Sequence, residues 1–98
     1  MITRENAKRM VGPGWASLID EIYDILPEDV CVTQVKEKFG GLRFYVGSAS
    51  SEIFDFIDKI EAKSLTICEQ CGEPGEARRG GWIKTLCDAH ERERQDCL

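Results

Sequence analysis

Two pairs of metal-ligating side chains, Cys68-x-x-Cys71 and Cys87-x-x-His90, lie fifteen residues apart in a chain of 98 residues. That spacing is the pattern of a closed, four-ligand structural zinc site. It constrains the fold because so short a chain buries only about 60–65% of its unfolded surface and needs a staple beyond its core. Five cysteines is an odd count, and His90 is the only histidine. The opening Met-Ile-Thr-Arg-Glu-Asn carries no apolar stretch of a secretion signal, so a cytoplasmic location is expected. Clustered cysteines in a reducing compartment read first as metal ligands rather than as disulfides.

The local sequence supplies a reason for each ligand. Gly72 follows Cys71 and lets backbone amides approach the thiolates. Gly80-Gly81 is placed to turn a second hairpin, between Ala77–Arg79 and Trp82–Leu86. Thr85-x-x-Asp88 fits a helix-start capping pattern. Cys87 and His90 then share one face of the first turn of a helix, where free amides and the helix dipole favour thiolates. A turn, a hairpin and a helix carrying the last two ligands predict a treble-clef-like zinc finger. The donor set is Cys3His and leaves no open coordination position, so the zinc is expected to be structural.

Upstream, Gly12-Pro13-Gly14 interrupts a polar, patternless start. Trp15, Leu18, Ile19, Ile22, Tyr23, Ile25 and Leu26 then recur at three-and-four spacing, which predicts an amphipathic helix, ended by Pro27. Val30–Phe39 and Leu42–Val46 flank Gly40-Gly41 and predict a β-hairpin. With Gly40-Gly41 as the turn, Phe39 faces Leu42, Glu37 faces Phe44 and Val35 faces Val46. On the other face Lys38 meets Arg43 and Lys36 meets Tyr45. Ser48-Ala49-Ser50-Ser51 can cap a second helix over about 52–63. The expected architecture is therefore α+β: a helix–hairpin–helix body over 1–63 and a zinc unit over 64–98. Leu65 and Ile67, in a linker without Pro or Gly, would be stranded in water unless the two parts pack as one domain.

The segments Lys36-Glu37-Lys38-Phe39-Gly40-Gly41-Leu42-Arg43-Phe44-Tyr45, Cys68-Glu-Gln-Cys71-Gly72-Glu-Pro74-Gly75 and Gly80-Gly81-Trp82-Ile83-Lys84-Thr85-Leu86-Cys87-Asp88-Ala89-His90 occur here together. In this, the chain resembles a group of short uncharacterised phage and bacterial proteins, over roughly residues 15–92. The resemblance implies zinc binding and a phage or mobile-element setting, and it carries no activity with it.

The formal charge of −5 opposes general nucleic-acid binding, which relies on excess Lys and Arg. Neither part is a basic module: 1–63 holds eight basic and eleven acidic residues, and 64–98 holds five and seven. Two local groups are candidate partner surfaces. Lys36, Lys38, Arg43 and Tyr45 could receive a phosphate or an acidic partner, against a solvated face balanced by Asp20 or Asp24, the reading the sequence favours. Arg78, Arg79 and Lys84 surround Trp82 on the zinc hairpin. That mixture of Arg and aromatic suits an interface or nucleic acid, although Trp82 is expected to cover the metal beside Leu86. Cys31 falls by alternation on the same face as Val35 and is expected to be a buried small hydrophobe. Cys97, near the end, reads as a reactive or frayed thiol. Nucleases built on a comparable zinc scaffold need a second histidine as base, and a nucleobase deaminase needs His-x-Glu where this chain has His90-Glu91-Arg92. The expected function is therefore non-enzymatic binding of a protein partner, as a phage-encoded modulator or inhibitor of a host system. A nucleic-acid-binding zinc finger is the alternative, and no membrane is involved.

Overall fold

The computed structural model describes residues 1–96. Its elements run α1 (Arg4–Arg9), a single 3-10 turn (Pro13–Trp15), α2 (Ala16–Ile25), β1 (Val32–Lys38), β2 (Gly41–Val46), α3 (Ser51–Ser64), β3 (Glu76–Arg78), β4 (Lys84–Leu86) and α4 (Asp88–Asp96). The two antiparallel hairpins, β1–β2 and β3–β4, form separate two-stranded sheets. The chain is thus a mixture of helix and sheet with a Cys/His cluster near its C-terminal end. No helix among the described residues is long and apolar enough to cross a membrane.

The start of the chain is ordered, contrary to its polar appearance. Thr3 caps α1 by accepting from the Asn6 amide at 3.2 Å. Glu5 in the first turn and Lys8 and Arg9 in the last complement the helix dipole. Asp20 accepts Arg4 at 3.0 Å and Lys8 at 2.8 Å, and Asp24 accepts Arg4 at 2.9 Å. These acids of α2 therefore serve α1 rather than balancing the basic hairpin face. Ile2 donates to the Val32 carbonyl at 3.1 Å, and Tyr23 donates its hydroxyl to the Ile2 carbonyl at 2.6 Å. A polar sequence hides this because the partners lie far along the chain.

Helix α2 buries Leu18, Ile19 and Ile22 completely, beside the equally buried Trp15. Each such side chain stabilises the fold by about 1.5–3 kcal/mol. Across from them stand Val32, Val35, Leu42 and Phe44 from the first hairpin and Ile57 and Ile60 from α3. Ser50 caps α3 through the Ile53 amide, as the serine-rich linker suggests.

The hairpin turns one residue earlier than expected. Lys38 pairs with Gly41, Glu37 with Leu42, Lys36 with Arg43, Val35 with Phe44 and Gln34 with Tyr45. The turn is Phe39-Gly40, with φ of 55° and 82°. A non-glycine residue in this left-handed region costs about 1–2 kcal/mol. Two anchors on Gly40 offset that cost: its amide donates to Glu37 Oε2 at 2.8 Å, and its carbonyl accepts the Thr85 hydroxyl at 2.6 Å. The shift preserves which face is apolar but ejects Phe39, which is 66% exposed. A bulge between Val32 and Gln34 changes the alternation at the other end. Val32 turns inward and Cys31 outward, so Cys31 is exposed rather than buried.

Candidate metal centre

Three stretches bring the four ligands together. The Gly72 amide donates to the Cys68 carbonyl at 2.9 Å, closing the turn that sets Cys68 beside Cys71. The β3–β4 hairpin returns the chain, and α4 begins directly after Cys87. The His90 amide points at Cys87 Sγ from 3.5 Å, so a ligand sulfur occupies the place of a helix cap. Thr85 does not cap this helix as its sequence pattern suggests. It is fully buried and bonded to Gly40 instead.

The four ligand atoms all lie within 4.8 Å of one another. Cys71 and Cys87 sulfurs stand 3.8 Å apart, Cys68 Sγ is 3.6 Å from His90 Nδ1, and Cys87 Sγ is 3.2 Å from it. Tetrahedral zinc, with bonds of about 2.3 Å to sulfur and about 2.0 Å to nitrogen, sets such edges near 3.8 and 3.5 Å. Cys68, Cys71, Cys87 and His90 are thus placed to hold a metal ion. The ring turns Nδ1 inward, and Glu93 Oε2 stands 3.7 Å from Nε2, a carboxylate able to hold the outer ring nitrogen.

The electrostatics favour thiolates at Cys68 and Cys87, whereas at Cys71 the pull of the Glu73 amide is outweighed by burial and the neighbouring Cys68 and Cys87 sulfurs, which raise the thiol. Burial pushes the Cys68 thiol up, but the amides of Cys87, Cys71 and Gln70 overcome it and bring the thiol to about 6. The His90 amide, with the His90 ring, lowers Cys87. His90 itself is raised, first by Cys87 and then by Cys68. Cys68 is buried, whereas Cys71 is exposed; the centre opens to solvent on the Cys71 side.

Several supporting residues carry no motif. Glu69 is 5% exposed and faces Lys84 at 3.6 Å; burial raises its carboxyl above the usual range, against the pull of Lys84. Arg94 of α4 donates to the Gly80 carbonyl at 2.7 Å and so ties the helix to the tip of the β3–β4 hairpin. Gly14 presses against the Cys68–Cys71 turn. Its amide donates to the Glu69 carbonyl at 2.8 Å, and a Cβ there would overlap the Cys68 carbonyl. Only its position between Pro13 and Trp15 hints at this in the sequence.

The candidate partner residues fall into two groups. Lys36, Lys38, Arg43 and Tyr45 share the outward face of the first hairpin. Arg78 is committed internally, to Asp88 at 2.7 Å, to Glu76 at 3.7 Å and to the Leu86 carbonyl at 3.2 Å. Lys84 is committed to Glu69, and Arg79 is exposed. Trp82 does not cover the metal. It lies outside β4, is 72% exposed, and directs its indole N–H toward Glu37 at 3.4 Å. The strand alternation that would have buried it with Leu86 begins only at Lys84. Leu65 is 46% exposed, while Ile67 packs against the core. Cys97 lies outside the described residues. No protein-family model matches this chain, and no curated protein or solved structure matches it.

Proposed function

We propose that the chain is a non-enzymatic binding protein, held in shape by one structural zinc ion in a treble-clef-like finger, that acts on a protein partner. The observation that carries this reading is the convergence of four protein donors, Cys68, Cys71, Cys87 and His90, within 4.8 Å. Four protein ligands fill a tetrahedral ion, leaving no position for a reacting water or substrate. The spacing fits neither a ferredoxin nor a Rieske pattern, so zinc is favoured over an iron–sulfur cluster. The sole histidine belongs to the centre and cannot also act as a free general base. Zinc here supplies folding free energy, on the order of 10–16 kcal/mol apparent for structural sites.

The nucleic-acid reading weakens because Arg78 and Lys84 are spent on Asp88 and Glu69. The resemblance of the motifs to short phage proteins supports a modulator or inhibitor of a host system, working in the host cytoplasm. Elemental analysis and affinity capture from a bacterial lysate test the proposal together. About one zinc per chain and chelator-sensitive capture of a protein are expected. A folded, metal-free chain would remove the zinc, and nuclease-sensitive capture would favour nucleic acid.

A further inference from the structure

The two long edges of the first hairpin are unlike. Along β2, the Leu42 amide donates to Ser64 Oγ at 2.9 Å and the Phe44 amide to Glu61 Oε2 at 2.8 Å. These amides therefore point away from β1, which makes Glu37–Leu42 and Val35–Phe44 the non-hydrogen-bonded pairs of the ladder. The N–H and C=O groups of Val35 and Glu37 must then point outward from β1. None of the four has a backbone partner among the described residues. Upstream on β1, the Val32 carbonyl accepts the Ile2 amide. The chain covers one edge with α3, occupies the start of the other, and leaves the outward backbone groups of Val35 and Glu37 without a hydrogen-bond partner among the described residues.

Two further features flank this stretch. Lys36, Lys38 and Arg43 enter no ion pair among the described residues, in a chain with five more acids than bases, 18 against 13. Lys36 directly opposes Arg43 across the ladder, an unfavourable placement that an acidic neighbour relieves. At the turn end, a cavity of about 360 Å³ is lined by Glu37, Lys38, Phe39, Gly81, Trp82 and Ile83. Phe39 and Trp82 hold two large apolar side chains in water beside it.

We propose that the outer edge of β1 captures an extended segment of a partner protein as an added strand. That segment carries acidic residues on the alternation beside Lys36 and Lys38, and a large apolar residue that enters the cavity between Phe39 and Trp82. Backbone bonding to Val35 and Glu37 supplies affinity, and the two alternations supply specificity. A second copy of this chain is a poor occupant. Antiparallel pairing of β1 with itself, same face to same face, sets Lys36 and Lys38 of one copy among those of the other. This edge rests on the protein-binding role proposed above.

The test pans a random twelve-residue peptide library against the zinc-loaded full chain. Expected enrichment is for alternating acids with one large apolar residue. The best peptide should slow amide exchange at Val35 and Glu37 by tenfold or more. The Lys36→Glu, Lys38→Glu double variant and the Trp82→Ala variant, both changed at accessible positions, should each weaken it by about tenfold. An absent or acid-free enrichment, or binding without protection of those two amides, overturns the proposal. So does tighter binding of a twelve-nucleotide oligothymidylate that the same lysine changes abolish, or a peptide-free dimer that protects those amides. If a lysate partner is still captured equally well by the double variant, the protein-binding role survives and this edge does not.

Discussion

The Thr85 hydroxyl donates to the Gly40 carbonyl at 2.6 Å across 45 residues of sequence. One buried bond thereby joins the strand that leads to Cys87 to the turn of the first hairpin. Gly40 is also the residue whose left-handed backbone sets the register of that hairpin.

Replacing Thr85 with Val keeps the shape and removes the donor. The buried Gly40 carbonyl is left without that partner, at a cost of about 1–3 kcal/mol. Urea unfolding of zinc-loaded protein should show a lower midpoint with an unchanged slope. An unchanged midpoint would mean that water replaces the hydroxyl without loss.

The contact of Gly14 with the metal-side turn leads to a sharper loss. A methyl group at Gly14 would overlap the Cys68 carbonyl and come within 2.6 Å of the Gly72 nitrogen. Both obstacles are backbone, so neither can rotate away. Gly14→Ala should destabilise by about 2–4 kcal/mol and weaken metal retention in a chelator competition. Wild-type stability in this variant would show that Gly14 and the turn are not in contact in solution.

Acid sensitivity has a local part at Asp20. Lys8, and then Arg4, hold its carboxyl below the usual range. A carboxyl depressed by folding stabilises fully above its unfolded value, near 3.9. That contribution fades as pH falls through the folded value. The melting-temperature gap between wild type and Asp20→Asn should therefore be widest near neutral pH and narrow below about pH 4. Thiolate protonation acts on both proteins alike, so the gap isolates the carboxylate. A gap independent of pH would mean that the ion pairs do not contribute.

The convergence of Cys68, Cys71, Cys87 and His90 was legible because a site that can hold a metal ion demands a fixed spacing and few residue types. The helix through Leu18 and Ile22 and the helix capped by Ser50 were legible because periodicity and capping are local. What the sequence concealed depends on partners far along the chain. Gly40-Gly41 and Phe39-Gly40 are both plausible turns until Thr85 and Glu37 arrive to anchor Gly40. Cys31 and Val32 exchange places only because of a one-residue bulge. α1 has an acidic first turn and a basic last turn, but Asp20 and Tyr23 are what dock it. Trp82 belongs with Leu86 in the core only if β4 starts at Trp82, two residues before Lys84, where the strand begins.

Metal release should be felt beyond the ligands. Trp15, completely buried in the core, donates its indole N–H to the Ile67 carbonyl at 2.9 Å, one residue before Cys68. Gly14 bonds to Glu69, one residue after it. Thr85 bonds to Gly40 two residues before Cys87. All three bonds end on segments whose geometry the ligand cluster defines, and the part of the chain around that cluster buries little apolar surface of its own. Among Glu76–Asp96, only Leu86 is a buried hydrophobic residue. Chelation should therefore speed exchange of the Trp15 indole proton and of the β1–β2 amides, and Cys87→Ser should reproduce the effect. Hydrogen exchange with and without chelator reads this directly. If residues 32–46 keep their protection while 68–90 lose theirs, the metal organises only its own surroundings, and the first hairpin stands without it.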